Sequence, residues 1–189
     1  MAAAIQTVEQ YLEMERASEE KHEFRDGVVY LMSGATHRHS IIQISTLASL
    51  HAQLRKRPVL VFPSAMRLKV EKTGLYTYAD GCVVCEPPQL EDDQQDTLLN
   101  PTLIIEVLSP STETYDRGKK FQHYRALESL QEYVLIAQDQ PRIERYLRQP
   151  NHEWLLSDAV GLESRLELPS IQCVLALADV YEKVDFEAQ

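Results

Sequence analysis

Apolar side chains recur at helical spacing in the first third of the chain. Thr7 followed by Gln10 forms a capping box, which predicts a first helix over residues 8–20. A second helix is predicted over residues 40–57, where apolar side chains repeat every three or four positions. Between the two helices, the alternating stretch around Asp26-Gly27 predicts a β-hairpin. The apolar face of the second helix is predicted to comprise Ile41, Ile44, Leu47, Leu50 (or His51) and Leu54.

The middle of the chain has the pattern of β-strands. Strands are predicted in "PVLVFPSAMRLKV", "TGLYTYADGCVVCE" and "TLIIEVLS", with Pro63 at a bend or at a sheet edge. The last of these stretches is apolar on both faces, which predicts a central strand covered on both sides. Between the second and third stretches lies the acidic segment, residues 86–96, which has five acids and no base, as a solvated loop would.

A third helix and a group of short strands are predicted in the second half. Asp116 is expected to cap a helix that runs to residue 128. Short strands are predicted in "EYVLIA", "RIERYLRQ", "HEWLLS" and "RLELPSI", followed by a last helix over residues 174–182. The sequence has no internal repeat and no linker rich in Pro, Gly or Ser. We therefore expect one α/β domain over residues 1–189, in which a central mixed β-sheet is flanked by helices.

Composition narrows the class of protein. With 189 residues, 44% of them hydrophobic, the chain can bury a sizeable core. It has no apolar run near the ~20 residues of a membrane span and no signal pattern at its start, so we expect a cytoplasmic protein without a membrane partner. Three cysteines, an odd number, argue against a disulfide framework. Cys82 and Cys85 should lie on opposite faces of one strand, which disfavours a zinc or redox pair.

The net charge bears on possible partners. A formal charge of −10 repels nucleic acid at long range, which disfavours a protein that coats nucleic acid. Basic side chains nevertheless cluster in places, and such patches can meet a phosphate backbone. The charge therefore lowers the expectation of DNA binding without removing it. The basic clusters are Arg55, Lys56 and Arg57; Arg117, Lys119, Lys120 and Arg125; and Arg142, Arg145 and Arg148.

One glutamate interrupts the most apolar of the predicted strands. By alternation, Glu106 points the same way as Ile104 and Leu108, into a buried layer. A buried carboxylate without a partner is costly, so a lysine, an arginine or a metal ion should lie against it. Asp80 repeats the situation in the preceding strand. Two such carboxylates form an oxygen site suited to Mg²⁺ or Mn²⁺, but ordinary salt bridges at strand ends explain the pattern equally well.

The helix predicted after Glu106 supplies a candidate cation. Phe121, Tyr124 and Leu127 share one face of this helix, which should face the core. Lys120 lies about 40° from Tyr124 on the same face, whereas Lys119 falls on the far side. Lys120 is therefore predicted to point inward and Lys119 to be solvated. The inward lysine could form a plain buried ion pair, or it could hold an attacking water beside a metal.

The chain resembles the Uma-two family of endonuclease-like proteins in "HEFRDGVVY", "HRHS", "YADGCVV" and "NPTLIIEVLSPSTETYDRGKKFQHYRALESLQEYVLI". That family looks like a branch of the PD-(D/E)XK, or restriction-endonuclease-like, superfamily. The resemblance covers almost the whole chain and implies a restriction-endonuclease-like core. It matches Asp80 and Glu106 with the two acids of the superfamily pattern. The usual lysine position is occupied by Leu108, and the family pattern instead matches Lys120, contributed by the helix after the Glu strand.

The resemblance also implies a chemistry. A Mg²⁺ or Mn²⁺ ion on Asp80, Glu106 and the carbonyl of Val107 would polarise a phosphodiester and acidify a bound water. Lys120 would orient that water and offset charge on the phosphorus. Glu23 matches a family acidic position that faces the same site.

Other residues near these motifs are candidates for support. His37 and His39 are predicted either to cap or decorate the second helix, or to contact phosphate and transfer protons. Tyr124 is expected to pack with its hydroxyl tied to the site and not to act as a nucleophile. Ala79 and Gly81 stand where the family usually has proline and an apolar residue, and neither change removes a catalytic group.

Three functions are compatible with the sequence. The first is a metal-dependent endonuclease that acts on DNA. The second is a catalytically silent or regulatory binding protein of the same fold, working as a dimer. The third is a metal-dependent hydrolase of another phosphate ester, which an acidic surface would tolerate better. The resemblance further implies a homodimer.

Overall fold

The computed structural model describes residues 6–187, which contain thirteen strands in three sheets. In the first sheet the strands run, from edge to edge, β2 (Val28–Leu31), β1 (His22–Arg25), β5 (Leu75–Tyr78), β4 (Arg67–Val70) and β7 (Thr97–Leu98). In the second sheet they run β11 (Trp154–Val160), β10 (Arg142–Arg148), β9 (Glu132–Ile136), β8 (Leu103–Val107), β6 (Gly81–Val84) and β3 (Leu60–Pro63). A separate hairpin comprises β12 (Arg165–Leu168) and β13 (Cys173–Ala176).

The six-stranded sheet has both parallel and antiparallel pairs, which confirms the predicted mixed β-sheet. Strand β8 lies at its centre, parallel to β9 and antiparallel to β6. All residues of β8 and β9 are buried, as expected for strands that are apolar on both faces. Pro63 ends β3, which forms the edge of this sheet, and this agrees with the predicted position at a sheet edge.

Five α-helices, two longer and three short, accompany the sheets in the described residues. They are α1 (Val8–Ala17), α2 (His37–Leu54), α3 (Glu113–Tyr115), α4 (Phe121–Tyr124) and α5 (Leu177–Val180). The capping box that starts α1 is present, with Thr7 and Gln10 each accepting a hydrogen bond from the other's backbone N–H. The predicted hairpin is also present as β1 and β2. Its turn residues, Asp26 and Gly27, have φ values of 53° and 76°, the left-handed region that such tight turns require.

Helix α2 corrects the prediction for both its start and its buried face. It begins at His37, three residues early, because the Thr36 side chain caps it by accepting from the N–H of His39. Its buried side chains are Ile42, Thr46, Leu50 and Leu54, spaced four apart. Ile44, predicted to face the core, is 64% exposed. Apolar residues occur on more than one side of this helix, so spacing alone did not identify the core face.

The stretch predicted as one strand around Asp80 is two strands in different sheets. Strand β5 ends at Tyr78 in the five-stranded sheet, and β6 begins at Gly81 in the six-stranded sheet. Asp80 therefore lies at the bend between the sheets and not inside a central strand. Hydrophobic alternation continued through the bend, which is why the break was not predicted.

Gly81 permits close packing where the chain crosses between the sheets. A Cβ at this position would lie 2.5 Å from Cδ2 of Leu47 in α2. We expect Gly81→Ala to lower the free energy of unfolding by about 1 kcal/mol, the low end for overpacking, because the half-buried Leu47 side chain can turn away. Denaturant unfolding should show a smaller cost in a Leu47→Ala background, which removes the clash. Equal costs in the two backgrounds would mean that this contact does not explain the effect.

The acidic segment is held by ion pairs, so its prediction as a solvated loop is wrong in part. Asp96 contacts Arg16 of α1 at 2.8 Å and Arg67 of β4 at 2.7 Å. Glu91 contacts Lys69 at 2.6 Å. The basic partners come from distant parts of the chain, so the local sequence gave no sign of them.

The C-terminal region corrects the last predicted helix. Residues Cys173–Ala176 form β13, in which Cys173 and Leu175 are buried and Val174 is exposed. Only Leu177–Val180 is helical, as α5. The period of two in this short run outweighs its helical propensity.

Two hydrophobic cores cover opposite faces of the six-stranded sheet. Ile104 belongs to one and Ile105 to the other, as alternation requires. Cys82 lies in the core with Ile104, and Cys85 packs against the core with Ile105, which confirms that the two thiols lie on opposite faces. Within residues 6–187 no helix has the length and apolar character of a membrane span.

Candidate active site

The helical segment after β8 contains one turn of π-helix. Asp116–Lys120 forms this π turn between α3 and α4, and the helix ends at Tyr124. Asp116 is not the predicted cap, because its N–H already donates to the carbonyl of Thr112 and its side chain is buried. The helix thus begins and ends earlier than predicted. A π turn inserts one extra residue into a helix and is frequent at functional sites.

The π turn directs Lys120 into the interior. Its side chain is 4% exposed, and its Nζ lies 2.8 Å from Oε1 of Glu106 and 3.6 Å from Oδ1 of Asp116. The same ammonium donates to the carbonyl of Tyr78 at 3.3 Å. Lys119 is exposed. The predicted orientations of the two lysines are therefore confirmed.

Glu106 lies in the buried centre of β8 with two hydrogen-bonding partners on one oxygen. The Tyr124 hydroxyl donates to Oε1 at 2.9 Å, beside the Lys120 ammonium. Burial raises the pKa of Glu106 to about 8, although the charge on Lys120 acts in the opposite direction. Burial by itself lowers the pKa of Lys120, but Glu106 and Asp116 outweigh that effect and hold it above its ordinary value. Lys120 is therefore the charged member of this pair at neutral pH.

Asp80 is fixed at the bend between the sheets. Its Oδ2 accepts from the backbone N–H of Val107 at 2.7 Å and lies 3.1 Å from Nε2 of His39. The side chain of Gln43 in α2 donates to the Asp80 carbonyl at 2.8 Å. The structure thus brings Asp80 to the residue after Glu106, and places His39 against it. His37 is exposed at the start of α2.

Glu23 reaches the same region from the five-stranded sheet. It is 5% exposed, and its Oε2 accepts from the Thr77 hydroxyl at 2.8 Å. The Tyr115 hydroxyl donates to Oε1, and Nη1 of Arg25 lies 3.4 Å from that oxygen. The negative charge of Glu23 also acts on Lys120.

Asp116 is a member of this region that the sequence analysis missed. It is 3% exposed, and burial raises the pKa of its carboxyl group, with the charge on Lys120 opposing that shift. Its spacing of four residues from Lys120 was the available signal, since such pairs share a helix face. The assignment of Asp116 as a helix cap hid that signal.

Four carboxylates in this region influence one another or Lys120 through their charges. We call them the carboxylate cluster: Glu23, Asp80, Glu106 and Asp116. The cations within residues 6–187 that form ion pairs with it are Lys120 and Arg25, with His39 counted as neutral. When all four carboxylates are ionised, as metal ligands must be, four negative charges face two positive ones, and this excess of two fits a divalent cation. Oxygen donors are the ligands that Mg²⁺ and Mn²⁺ prefer.

The described side chains do not form a complete metal cage. No group of three or more His, Cys, Asp or Glu side chains in residues 6–187 has the arrangement of a metal site. Magnesium is often held by one or two carboxylates, with water and substrate phosphates completing its shell. Asp80 and Glu106 fit that mode of binding.

The hydroxyl of Tyr124 provides a test of how Glu106 is held. We expect Tyr124→Phe to lower the free energy of unfolding by about 1 kcal/mol, because one buried hydrogen bond is lost while the ring remains. Any DNA-cutting rate should fall by no more than roughly tenfold, since one neutral donor to Glu106 disappears. Thermal unfolding and an initial-rate assay measure the two effects. Complete loss of cutting in a folded variant would instead indicate a nucleophilic tyrosine.

Comparisons with known proteins identify one family. Residues 8–178 match the model of the Uma2 family, described as "Putative restriction endonuclease". Uncharacterized protein sll1609 of Synechocystis sp. (strain ATCC 27184 / PCC 6803 / Kazusa) is 35% identical over 163 residues, 86% of this chain and 92% of that protein. Uncharacterized protein slr1290 of the same organism is 36% identical over 180 residues, 94% of this chain and 92% of that protein.

A solved structure shares the fold. It is the crystal structure of "a putative nuclease belonging to DUF820" from Anabaena variabilis ATCC 29413, with a TM-score of 0.74 and 19% sequence identity. The match covers 93% of this chain and 97% of that one. The predicted restriction-endonuclease-like fold is thereby confirmed.

Proposed function

This chain belongs to the Uma2 family, and from that premise we propose that it is a divalent-metal-dependent endonuclease acting on DNA. Family and fold support a nuclease, and the carboxylate cluster suggests where the reaction takes place. The observation that carries the proposal is the buried contact of 2.8 Å between Lys120 and Glu106, beside carboxylates that exceed the available cations. Strongly perturbed ionisable groups of this kind concentrate at functional sites.

The proposed ion is Mg²⁺ or Mn²⁺. Asp80, Glu106 and the carbonyl of Val107 would hold it, and it would supply a Lewis acid that lowers the pKa of water and polarises the phosphate. The carboxylate cluster, when fully ionised, has two more negative charges than its ion-paired cations, which supports a divalent ion over a monovalent one.

The protein groups have separate proposed tasks. Hydrolysis adds a water oxygen to phosphorus and breaks one phosphorus–oxygen ester bond, so negative charge builds up on the phosphate oxygens. The Lys120 ammonium orients the water and offsets this charge, because it is held charged among carboxylates. Glu106, which accepts a hydrogen bond from Tyr124, fixes the ammonium's position. Glu23 adds negative charge that helps keep Lys120 protonated.

His39 is the proposed proton-transfer group of the site. Its Nε2 lies 3.1 Å from Asp80, while its Nδ1 is buried and makes no hydrogen bond with the described residues. A histidine held by one ring nitrogen has the other free to exchange a proton with a substrate. His37, exposed at the end of the same helix, is placed only to contact a phosphate from outside.

The direct test uses supercoiled plasmid, linear duplex and single-stranded DNA. Each is incubated with the purified protein in Mg²⁺, in Mn²⁺ and in chelator, and products are resolved on gels. We expect cutting with either metal ion and none with chelator. Equal cutting in chelator would contradict metal dependence, and intact DNA under every condition would contradict the endonuclease.

A second function is favoured by the burial of the proposed site. Glu106 and Lys120 side chains are 5% and 4% exposed, so a substrate phosphate must displace neighbouring groups to reach them. This supports a catalytically silent or regulatory binding protein of the same fold. The net charge of −10 likewise suits a hydrolase of smaller phosphate esters. Release of inorganic phosphate or alcohol from small phosphate esters, without DNA cutting, would favour that third function.

A homodimer is part of the proposal. Strand β11 forms an edge of the six-stranded sheet and exposes Leu155, Leu156 and Val160, each by more than half. An exposed apolar edge strand can pair with a second copy. Light scattering should then give twice the chain mass of 21.7 kDa, and a monomer mass would exclude this interface.

A further inference from the structure

An arginine lies between two aromatic rings on the hairpin beside the carboxylate cluster. The guanidinium carbon of Arg25 is 4.4 Å from the ring centre of Tyr30 and 4.8 Å from that of Tyr115. We call these three side chains the aromatic stack. Each contact has the geometry of a cation–π interaction. The stack therefore holds the guanidinium in a fixed orientation.

The inner end of the stack touches the proposed site. Tyr115 directly precedes the π turn, and its hydroxyl donates to Glu23. Glu23 is close enough to Lys120 for their charges to interact. Glu23 is also the cross-strand partner of Tyr30, so they share one face of the hairpin. Contacts thus run from Tyr30 through Arg25 and Tyr115 to Glu23, whose charge acts on Lys120.

The outer end of the stack is open to solvent. Tyr30 is 40% exposed on β2, which forms the edge of the five-stranded sheet. The Arg25 side chain is 19% exposed, and its buried Nη1 lies 3.4 Å from the Glu23 carboxylate. An exposed aromatic ring beside this guanidinium matches a nucleotide, which has a flat base and an anionic phosphate.

We propose that the aromatic stack binds an unpaired nucleotide next to the phosphate that is cut, with the base on Tyr30 and its phosphate near Arg25. The proposal rests on the proposed nuclease function and specifies its substrate as DNA with single-stranded character. Every base presents a flat π face, so stacking on tyrosine is tolerant of sequence. Bases inside an intact duplex are already stacked on each other, and therefore they cannot occupy Tyr30.

Binding, measured apart from cutting, tests the proposal. Chelator-treated protein is titrated into a fluorescein-labelled 12-nucleotide strand and into the same strand in a blunt duplex, at one fixed salt concentration. Twelve nucleotides fall within the range of about 4–16 that a single-strand-binding domain covers. We expect the single strand to bind more tightly. Tyr30→Ser should weaken its binding by about tenfold, while Tyr30→Phe, which keeps the ring, should bind as the unaltered protein does. A 2-aminopurine in the strand should lose fluorescence on binding only when residue 30 is aromatic.

Controls separate stacking from a general effect on the fold. Leu60→Ser alters a comparably exposed apolar side chain, 46% exposed at the edge of the other sheet, and should not change binding. If Tyr30→Ser does not fold, Tyr30→Leu keeps the apolar bulk of the strand without an aromatic face and should show the same loss. Equal binding of strand and duplex, or undiminished binding by the non-aromatic variants, would overturn the proposal. If either result is found and the protein still cuts DNA, the nuclease proposal holds and only the proposed nucleotide site is refuted. If binding depends on Tyr30 but no DNA is cut, only the nuclease proposal is refuted.

Discussion

Lys120→Ala is expected to reduce DNA cutting by about 10²–10³-fold, whereas Lys119→Ala leaves it unchanged. The two lysines are adjacent in sequence, but only Lys120 is buried, 2.8 Å from Glu106. Removing a positioned charge that stabilises a transition state typically has an effect of this size, about 10²–10³ in rate. Initial rates of plasmid nicking with Mg²⁺ measure the change. Lys119→Ala is the matched control, because it removes the same charge from the protein's net total.

The same substitution should destabilise the fold. When the Lys120 ammonium is removed, Glu106 and Asp116 stay buried without their shared cation. Loss of one partner from such a buried pair lowers the free energy of unfolding by about 3–5 kcal/mol. For a chain of this size the melting temperature should fall by roughly 6–20 °C. Cutting is therefore measured well below the new melting temperature. Lys120→Gln, which keeps a donor in place, provides a milder variant, and full activity in either one would refute the proposed role of Lys120.

Glu106→Gln is expected to abolish both cutting and the response of the protein to divalent ions. Mg²⁺ or Mn²⁺ that binds only the folded state at 100 times its Kd would stabilise it by about 2.7 kcal/mol. The melting temperature of the unaltered protein should then rise when the ion is added and fall back with chelator. In Glu106→Gln a neutral amide replaces the carboxylate at nearly the same size, so this rise should disappear. Thermal unfolding across a metal titration gives the result without relying on activity.

Glu132→Gln is the matched control for that experiment. Glu132 is also a fully buried glutamate, in the strand next to β8, but it accepts hydrogen bonds from Ser170 and lies outside the carboxylate cluster. This variant should keep both the metal-dependent rise and the cutting. A rise that survives in Glu106→Gln, or one that is lost in both variants, would mean that the ion binds elsewhere.

Local patterns in the sequence were sufficient for several central features. The uninterrupted apolar run around Glu106 predicted a central strand, and β8 has that position. Helical spacing distinguished Lys120 from Lys119, because the face shared with Phe121 and Tyr124 is buried. Resemblance to the family implied the fold, which the structural comparison confirms. The catalytic and metal-binding roles of these residues stay predictions that the variants above test.

Features that depend on distant contacts were not predictable in the same way. The bend at Asp80 is set by two sheets that meet there, and the alternation of the sequence passes through it unchanged. The π turn shifts Asp116 from an expected cap to a buried position facing Lys120. The basic partners of Asp96 come from α1 and β4. At Asp80 and Asp96 the neighbours that determine the structure are distant in sequence. At Asp116 a π turn replaces the regular helix that the sequence pattern predicts.

The placement of the carboxylate cluster has a consequence for how the protein acquires its chemistry. Glu23 comes from one sheet, Glu106 from the other, Asp80 from the bend between them and Lys120 from a helix. Contacts between such distant segments form late in folding, after local structure. A nascent or partly unfolded chain therefore has no assembled carboxylate cluster. The proposed reaction would become possible only when synthesis and folding are complete.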